Sequence, residues 1–374
     1  MTFVVYGANS SERERAVMRM RELGERLGGG QYLLRGLIPL SNMYYTRGEA
    51  VRGLELARRS IDLAEASGDP ASLLAGLFYT GLLAYSCGKF QESLSFLNEA
   101  VRHSDRIPRS LSPSGYLYQS ALPSHLAQPL LLLGQVGESR RMLEEGLRRA
   151  RESSHLFSLV HALVLTTGLL EDFRREPEKA LVSAEEAIEL SQENGFPQWL
   201  QISRSLHGLA LVDLGQFDKG SAEMEEALTL SRAFGRNPAQ LFHIARLAHS
   251  YARMDQTDRA VQMLNDALAQ LERTGARSEA AEMLRLKGEV LLMCRGAAKD
   301  EAEHCFRTAL EVARAQQAKW WELRATVSLA RLLASQGRRH EASMMLGEIY
   351  NWFTEGFDTA DLKDAKALLD ELTV

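Results

Sequence analysis

The sequence predicts an all-α chain folded as a right-handed α-solenoid of about eight helix pairs, and three observations carry that expectation. From Ser11 onward, amphipathic stretches of roughly 15 to 20 residues alternate with short Gly, Asp or Pro breaks, and no stretch shows the period-two alternation of a half-buried strand. A small residue recurs at Gly53, Ser93, Ser139, Ala180, Gly220, Ala260, Ala302 and Ala342, a period of about 40 residues. The chain of 374 residues is also too long for one ordinary core, which a repeat array resolves by burying each unit on the next.

Taken in order, residues 1–30 hold an N-terminal segment and a leading helix, 31–353 the repeats, and 354–374 a C-terminal cap. Twelve residues before the first small series stand Ser41, Gly81, Ala127, Gly168, Gly208, Ala248 and Ala330, with Gly288 two residues early because of an insertion near Arg295 to Lys299. Seven residues after it stand Ser60, Ala100, Gly146, Ala187, Ala227, Ala267 and Ala309, with Ile349 breaking the series. Small side chains at these places let two antiparallel helices cross closely. Leu97, Leu143, Met224, Leu264, Phe306 and Leu346 are the knobs that reach the neighbouring helix.

Gly48, Gly88, Gly134, Gly215 and Gly337 end first helices, and Gly68, Gly195, Gly235 and Gly275 end second ones, as left-handed C-caps require. Pro70, Pro197 and Pro238 then open the following helices, where a missing N–H costs nothing. The third repeat departs from the pattern. It carries an insertion near 104–114 and two prolines, Pro123 and Pro129, inside its first helix. The insertion reads either as a hinge or partner notch or as a tolerated loop. At the C-terminus, Trp352, Phe353 and Phe357 are expected to cover the last repeat, and a helix from about Ala360 to Leu372 to turn its acidic side to water.

The composition narrows the function. Forty-four Lys and Arg against 49 Asp and Glu give a net charge of −5, which argues against a nucleic-acid partner. Cys87, Cys294 and Cys305 show no CxxC spacing, so neither a disulfide framework nor a zinc knuckle is written, and a cytoplasmic location fits. The longest apolar run, Val290 to Cys294, is far below the roughly 20 residues that span a bilayer, and the N-terminus lacks the pattern of a secretory leader. No membrane association is expected.

Catalytic and metal chemistry find little support in the sequence. No two of the nine histidines stand four apart on a helix, and His304 with Cys305 and Cys294 read as an inert cluster rather than a metal site. The string Cys87-Gly88-Lys89-Phe90 lacks the upstream glycine and the hydroxyl of a phosphate loop. A non-enzyme without cofactor or metal is the expectation.

The working surface is expected on the concave face, lined by first helices. Counting from the small positions places Tyr45, Phe78, Leu82, Tyr85, Leu169 and Phe173 in an apolar, aromatic half, and Phe242, His249, Arg253, Arg285, Arg324 and Arg331 in a charged half. An aromatic groove fits a partner helix or peptide, and clustered arginines fit carboxylates. The alternative is that tight winding buries the apolar half against itself.

Helix pairs with small residues at these three places resemble the tetratricopeptide repeat (TPR), here lengthened from 34 to about 40 residues. Blocks such as EASGDPASLL from Glu65, DFRREPEKAL from Asp172, EAEHCFRTALEVARAQQAKWWELRATVSLARLLASQGRRHEA from Glu301 and YNWFTEGFDTADLKDAKALLDEL from Tyr350 resemble the C-terminal region of bacterial proteins that join a class III adenylate/guanylate cyclase, an AAA ATPase and TPRs. That resemblance implies a protein-interaction or signal-sensing module, free-standing or the regulatory end of such a regulator, with a protein or peptide partner, a cyclase or ATPase domain being one candidate. The other reading is the ligand-sensing repeat domain of a transcriptional regulator.

Overall fold

The computed structural model describes residues 11–27, 30–107, 112, 115–169, 175–234, 239–296 and 298–373. Among them every regular element is a helix. A leading helix α1 (Ser11–Leu27) precedes the pairs α2 (Gly30–Arg47) with α3 (Ala50–Ser67), α4 (Pro70–Ser86) with α5 (Phe90–Ser104), α6 (Tyr118–Leu132) with α7 (Val136–Glu152), and α8 (Leu156–Leu169) with α9 (Pro177–Glu193). Then come α10 (Pro197–Asp213) with α11 (Phe217–Phe234), α12 (Ala239–Arg253) with α13 (Thr257–Thr274), α14 (Ala280–Met293) with α15 (Lys299–Ala315), and α16 (Lys319–Ser335) with α17 (Arg339–Trp352). A closing helix α18 spans Ala360–Thr373. The chain is an all-α solenoid of TPR type.

Local chemistry sets the helix ends. At the start of α4, Asp69 accepts hydrogen bonds from the backbone N–H of Ala71 (3.1 Å) and Ser72 (3.3 Å) just ahead of Pro70 at the first helical position. The expected glycine turns have positive φ throughout, as at Gly68 (65°) and Gly134 (85°), while Gly235 and Pro238 lie outside the described residues. Where a turn lacks glycine, Ser154, Arg175, Asp255 and Gln317 take the same left-handed conformation.

The close crossings follow from the small residues. A Cβ built on Gly208 would lie 2.7 Å from the carbonyl oxygen of Gly220, and one on Gly288 2.5 Å from the ring of Phe306. Gly168 is different, since a Cβ there meets nothing within 4 Å among the described residues. All six knobs, Leu97 through Leu346, are buried.

The winding is tight enough for late repeats to touch early ones. The carbonyl of Ser86 at the end of α4 accepts from the N–H of Arg277 (2.7 Å) and of Ser278 (3.3 Å), which precede α14. Phe90, Leu131, Leu132, Leu133 and Val136 share one core cluster with Trp320, Trp321 and Phe353. The turn after α17 completes this seam: the carboxylate of Glu355 accepts from the N–H of Gly137 (3.2 Å), Arg140 pairs with Asp358 (2.8 Å), and Trp352 lies over the Gly134 turn.

The expected aromatic cap is corrected accordingly. Only Phe353 is buried, whereas Trp352 and Phe357 are each 45% exposed, because this turn reaches sideways to the third repeat as well as down onto the last one. The prolines of the third repeat, Pro123 and Pro129, stay within an unbroken α6, as does Pro39 in α2. No helix among the described residues is long and apolar enough to cross a membrane.

Candidate functional site

Along the inner face, the two halves of the expected groove have different fates. Phe78 and Leu82 are corrected from groove lining to core: both are buried, with Phe78 edge-on to Tyr118 at 5.2 Å and to His125 at 5.4 Å. Tyr45 and Tyr85 are half-buried against core clusters, the side chain of Leu169 is outside the described set, and Phe173 lies outside the described residues.

The segment that follows the insertion closes this half. Tyr116 stacks on His161 with ring centroids 4.1 Å apart, and the N–H of Leu117 donates to Ser158 at 2.8 Å. Beneath Tyr116, the Nε2 atoms of His125 and His161 stand 3.2 Å apart, and Trp199 packs on His161 at 5.4 Å. Burial pushes His125 down to about 3 and His161 well below its usual range, so this pair is neutral. The insertion therefore leads into a plug made of aromatic rings.

The charged half stays open. A cavity of about 710 Å³ is lined by residues of α12, α14 and α16, by Asp361 and Asp364 of α18, and by Arg175, Pro177 and Asp213 from the fourth and fifth repeats. Side chains three and four apart on one helix share a face, which is how Arg246, His249 and Arg253 on α12, Arg285 and Glu289 on α14, and Arg324, Ser328 and Arg331 on α16 all reach it. Phe242, on the same face of α12, is buried.

The floor is an ion-pair network. Glu282, 1% exposed, accepts from Arg285 (2.7 Å) and Arg324 (3.2 Å), and Arg285 also pairs with Glu289. Burial works to raise the Glu282 carboxyl, yet Arg285 and Arg324 outweigh it and hold it at about 2. His249 sits 3.6 Å from Glu289, but burial and the surrounding arginines push it down to about 4.

Arg324 is corrected from a solvated groove arginine to a buried one. It is 8% exposed and held between Glu282 and Asp361 (2.8 Å). Asp361 is the second correction, because the helix expected to turn its acids to water places this one in the cavity wall, where it also faces Arg175 at 3.5 Å. Asp364, one turn on, takes Arg175 at 2.6 Å. Arg246 is held by Asp213 at 2.6 Å.

Arg253 and Arg331 remain. Both are exposed on the cavity wall, and among the described residues neither meets a carboxylate, although Arg253 lies 5.1 Å over the ring of Phe217. The expected residues Arg253, Arg285, Arg324 and Arg331 and His249 thus share one cavity. Arg175, Asp213, Arg246, Asp361 and Asp364 were missed. Arg246 carries a signal, three residues before His249, whereas Arg175 and the α18 acids arrive only through the winding of the whole chain. No group of three metal-ligating side chains occurs among the described residues.

Comparison with known proteins places this architecture in context. The family described as ANAPC5, anaphase-promoting complex subunit 5, matches two segments, 77–173 and 164–210. No curated protein matches the sequence. Among solved structures, a Rap protein complexed with Competence and Sporulation Factor has a TM-score of 0.62 at 12% identity, over 99% of this chain and 96% of its own. NprR in complex with its cognate peptide NprX has a TM-score of 0.62 at 14% identity, covering 92% and 98%. The Rap conjugation gene regulator of plasmid pLS20 with the Phr* peptide has a TM-score of 0.59 at 12% identity, covering 97% and 94%. At these identities the likeness is one of fold: a TPR-like helical repeat.

Proposed function

We propose that this chain is a non-catalytic TPR sensing module that binds a protein or peptide segment in the cavity of its C-terminal repeats. The observation that carries the reading is a cavity of about 710 Å³ with two exposed arginines at its wall that meet no carboxylate among the described residues. Its size falls in the range of roughly 300–1,000 Å³ typical of ligand sites. The titratable groups on the floor are engaged with one another, which suits positioning a ligand better than attacking one. The Rap conjugation gene regulator of plasmid pLS20 and NprR, similar in fold, are each complexed with a peptide, which supports a peptide ligand here.

The regulatory end of a larger cyclase/ATPase-type protein is the setting suggested by the blocks from Glu301 and from Tyr350, and a cytoplasmic location goes with it. In domain terms, 1–30 precede, 31–353 form the binding solenoid and 354–374 close it.

The test is to pan a random peptide library against the purified chain and map the selected peptides by hydrogen exchange. Protection on α12, α14 and α16 is expected. Failure to select any peptide, or protection confined to other helices, would overturn the reading.

A further inference from the structure

Within the cavity, the distribution of charge is uneven in a way that specifies a ligand. The chain as a whole carries −5, yet the cavity gathers Arg175, Arg246, Arg253, Arg285, Arg324 and Arg331. Glu282, Glu289 and Asp213 neutralise the deeper arginines from within the repeats themselves. The remaining carboxylates come from elsewhere: Asp361 and Asp364 are supplied by α18, whose own repeat position is beyond the last pair.

This arrangement shows what the arginines hold when they hold something. Asp361 bridges Arg324 at 2.8 Å and Arg175 at 3.5 Å, and Asp364 takes Arg175 at 2.6 Å. A planar guanidinium presents paired N–H groups that match a carboxylate edge to edge. The closing helix therefore already occupies part of the cavity with an acidic segment, two carboxylates one turn apart. Arg253 and Arg331, on α12 and α16, extend the same wall and lack such partners among the described residues.

We propose that the cavity takes the carboxylates of an acidic peptide, anchored by Arg253 and Arg331, in competition with Asp361 and Asp364 of α18 for Arg324 and Arg175. The proposal rests on the groove reading above and names its ligand chemistry. It also gives α18 a second role as an internal competitor. Arg175 and Asp364 are both partly exposed, with side chains 47% and 41% accessible, so their exchange for a ligand carboxylate needs no opening of the core. Arg324, at 8%, is the deeper contact and the stronger constraint.

The experiment is calorimetric titration of the full chain with an acetylated, amidated tetraglutamate peptide, its tetraglutamine counterpart, and inorganic phosphate at matched ionic strength. Tetraglutamate is expected to bind and tetraglutamine to give no heat. The double variant Arg253→Gln/Arg331→Gln should weaken tetraglutamate by about tenfold, since two charge-assisted contacts are removed. It should melt like the wild type, because neither side chain is buried. Asp364→Asn should tighten binding by roughly two- to fivefold by releasing Arg175.

Absence of tetraglutamate binding, or binding undiminished in the double variant, overturns the proposal. Inorganic phosphate competing as well as tetraglutamate assigns the cavity to simple anions and overturns the peptide assignment. If library panning selects neutral or basic peptides that protect α12, α14 and α16 and bind the double variant normally, the carboxylate proposal falls while the sensing module stands. If panning selects nothing, the module itself falls.

Discussion

Three buried imidazoles and a half-buried fourth make the acid response of this protein readable residue by residue. Burial pushes His125 to about 3, His243 and His249 to about 4, and His161 well below its usual value. A histidine whose folded value lies below the unfolded value near 6.5 contributes stability that is complete above that value and is lost as pH falls toward the folded one. Glu279, pushed up to about 7 by burial, works in the opposite sense, with stability present at low pH and lost as pH rises through 7. Four groups oppose one, so the urea midpoint should fall steadily from pH 6.5 to pH 5. His243→Gln should flatten that slope by about 1 kcal/mol per pH unit, and Glu279→Gln should steepen it. Equal slopes in all three proteins would refute the assignment. Little of this was legible in the sequence: His125 and His161 are 36 residues apart on separate helices, and their contact depends on how α6 and α8 pack. The charged wall was more legible, because Arg285 and Glu289, or Arg324 and Arg331, share a helical face by spacing alone.

At the scale of the helix, register is set by small residues, and here the sequence speaks clearly. Ala267 and Ala309 are buried at crossings, while Gln262 is exposed on α13. Ala267→Leu or Ala309→Leu should cost roughly 1–3 kcal/mol by overpacking, with Gln262→Leu nearly neutral, as read from thermal unfolding. The glycines offer a sharper contrast. Gly208→Ala drives a methyl against the backbone oxygen of Gly220 at 2.7 Å and should destabilise by about 1–3 kcal/mol. Gly168→Ala meets nothing within 4 Å among the described residues and should be neutral or stabilising by up to about 1 kcal/mol through helix propensity. Both occupy the same place in the repeat, so periodicity alone cannot separate them. The insertion before α6 is a similar case. Its length was plain from the 46-residue gap between Ser93 and Ser139, but nothing local says that Tyr116 turns inward onto His161 rather than outward to solvent.

For the whole molecule, the decisive feature is that the solenoid meets itself. A repeat pattern encodes the contact of each unit with the next, and it is silent about which units meet after the chain has wound round. The aromatic and acidic turn Trp352 to Asp358 had no role in the repeat geometry, and it finds one at the seam, against Gly134, Gly137 and Arg140. Glu355 caps the N-terminal end of α7 through the N–H of Gly137, where a negative charge is favoured, and Asp358 meets Arg140 beside it. Reversing both acids with Glu355→Arg/Asp358→Arg places two positive charges against that helix end and against Arg140. Exposed pairs contribute little individually, so the combined loss and repulsion should cost on the order of 1–2 kcal/mol. The cost falls on the seam rather than on any helix pair. Far-UV circular dichroism should therefore stay unchanged while solution scattering shows a larger radius of gyration. Adding Arg140→Glu restores an attraction across the seam and should recover much of the compactness. A scattering profile identical to the wild type in the double variant would mean that the apolar contacts of Phe353 hold the seam without help from these charges.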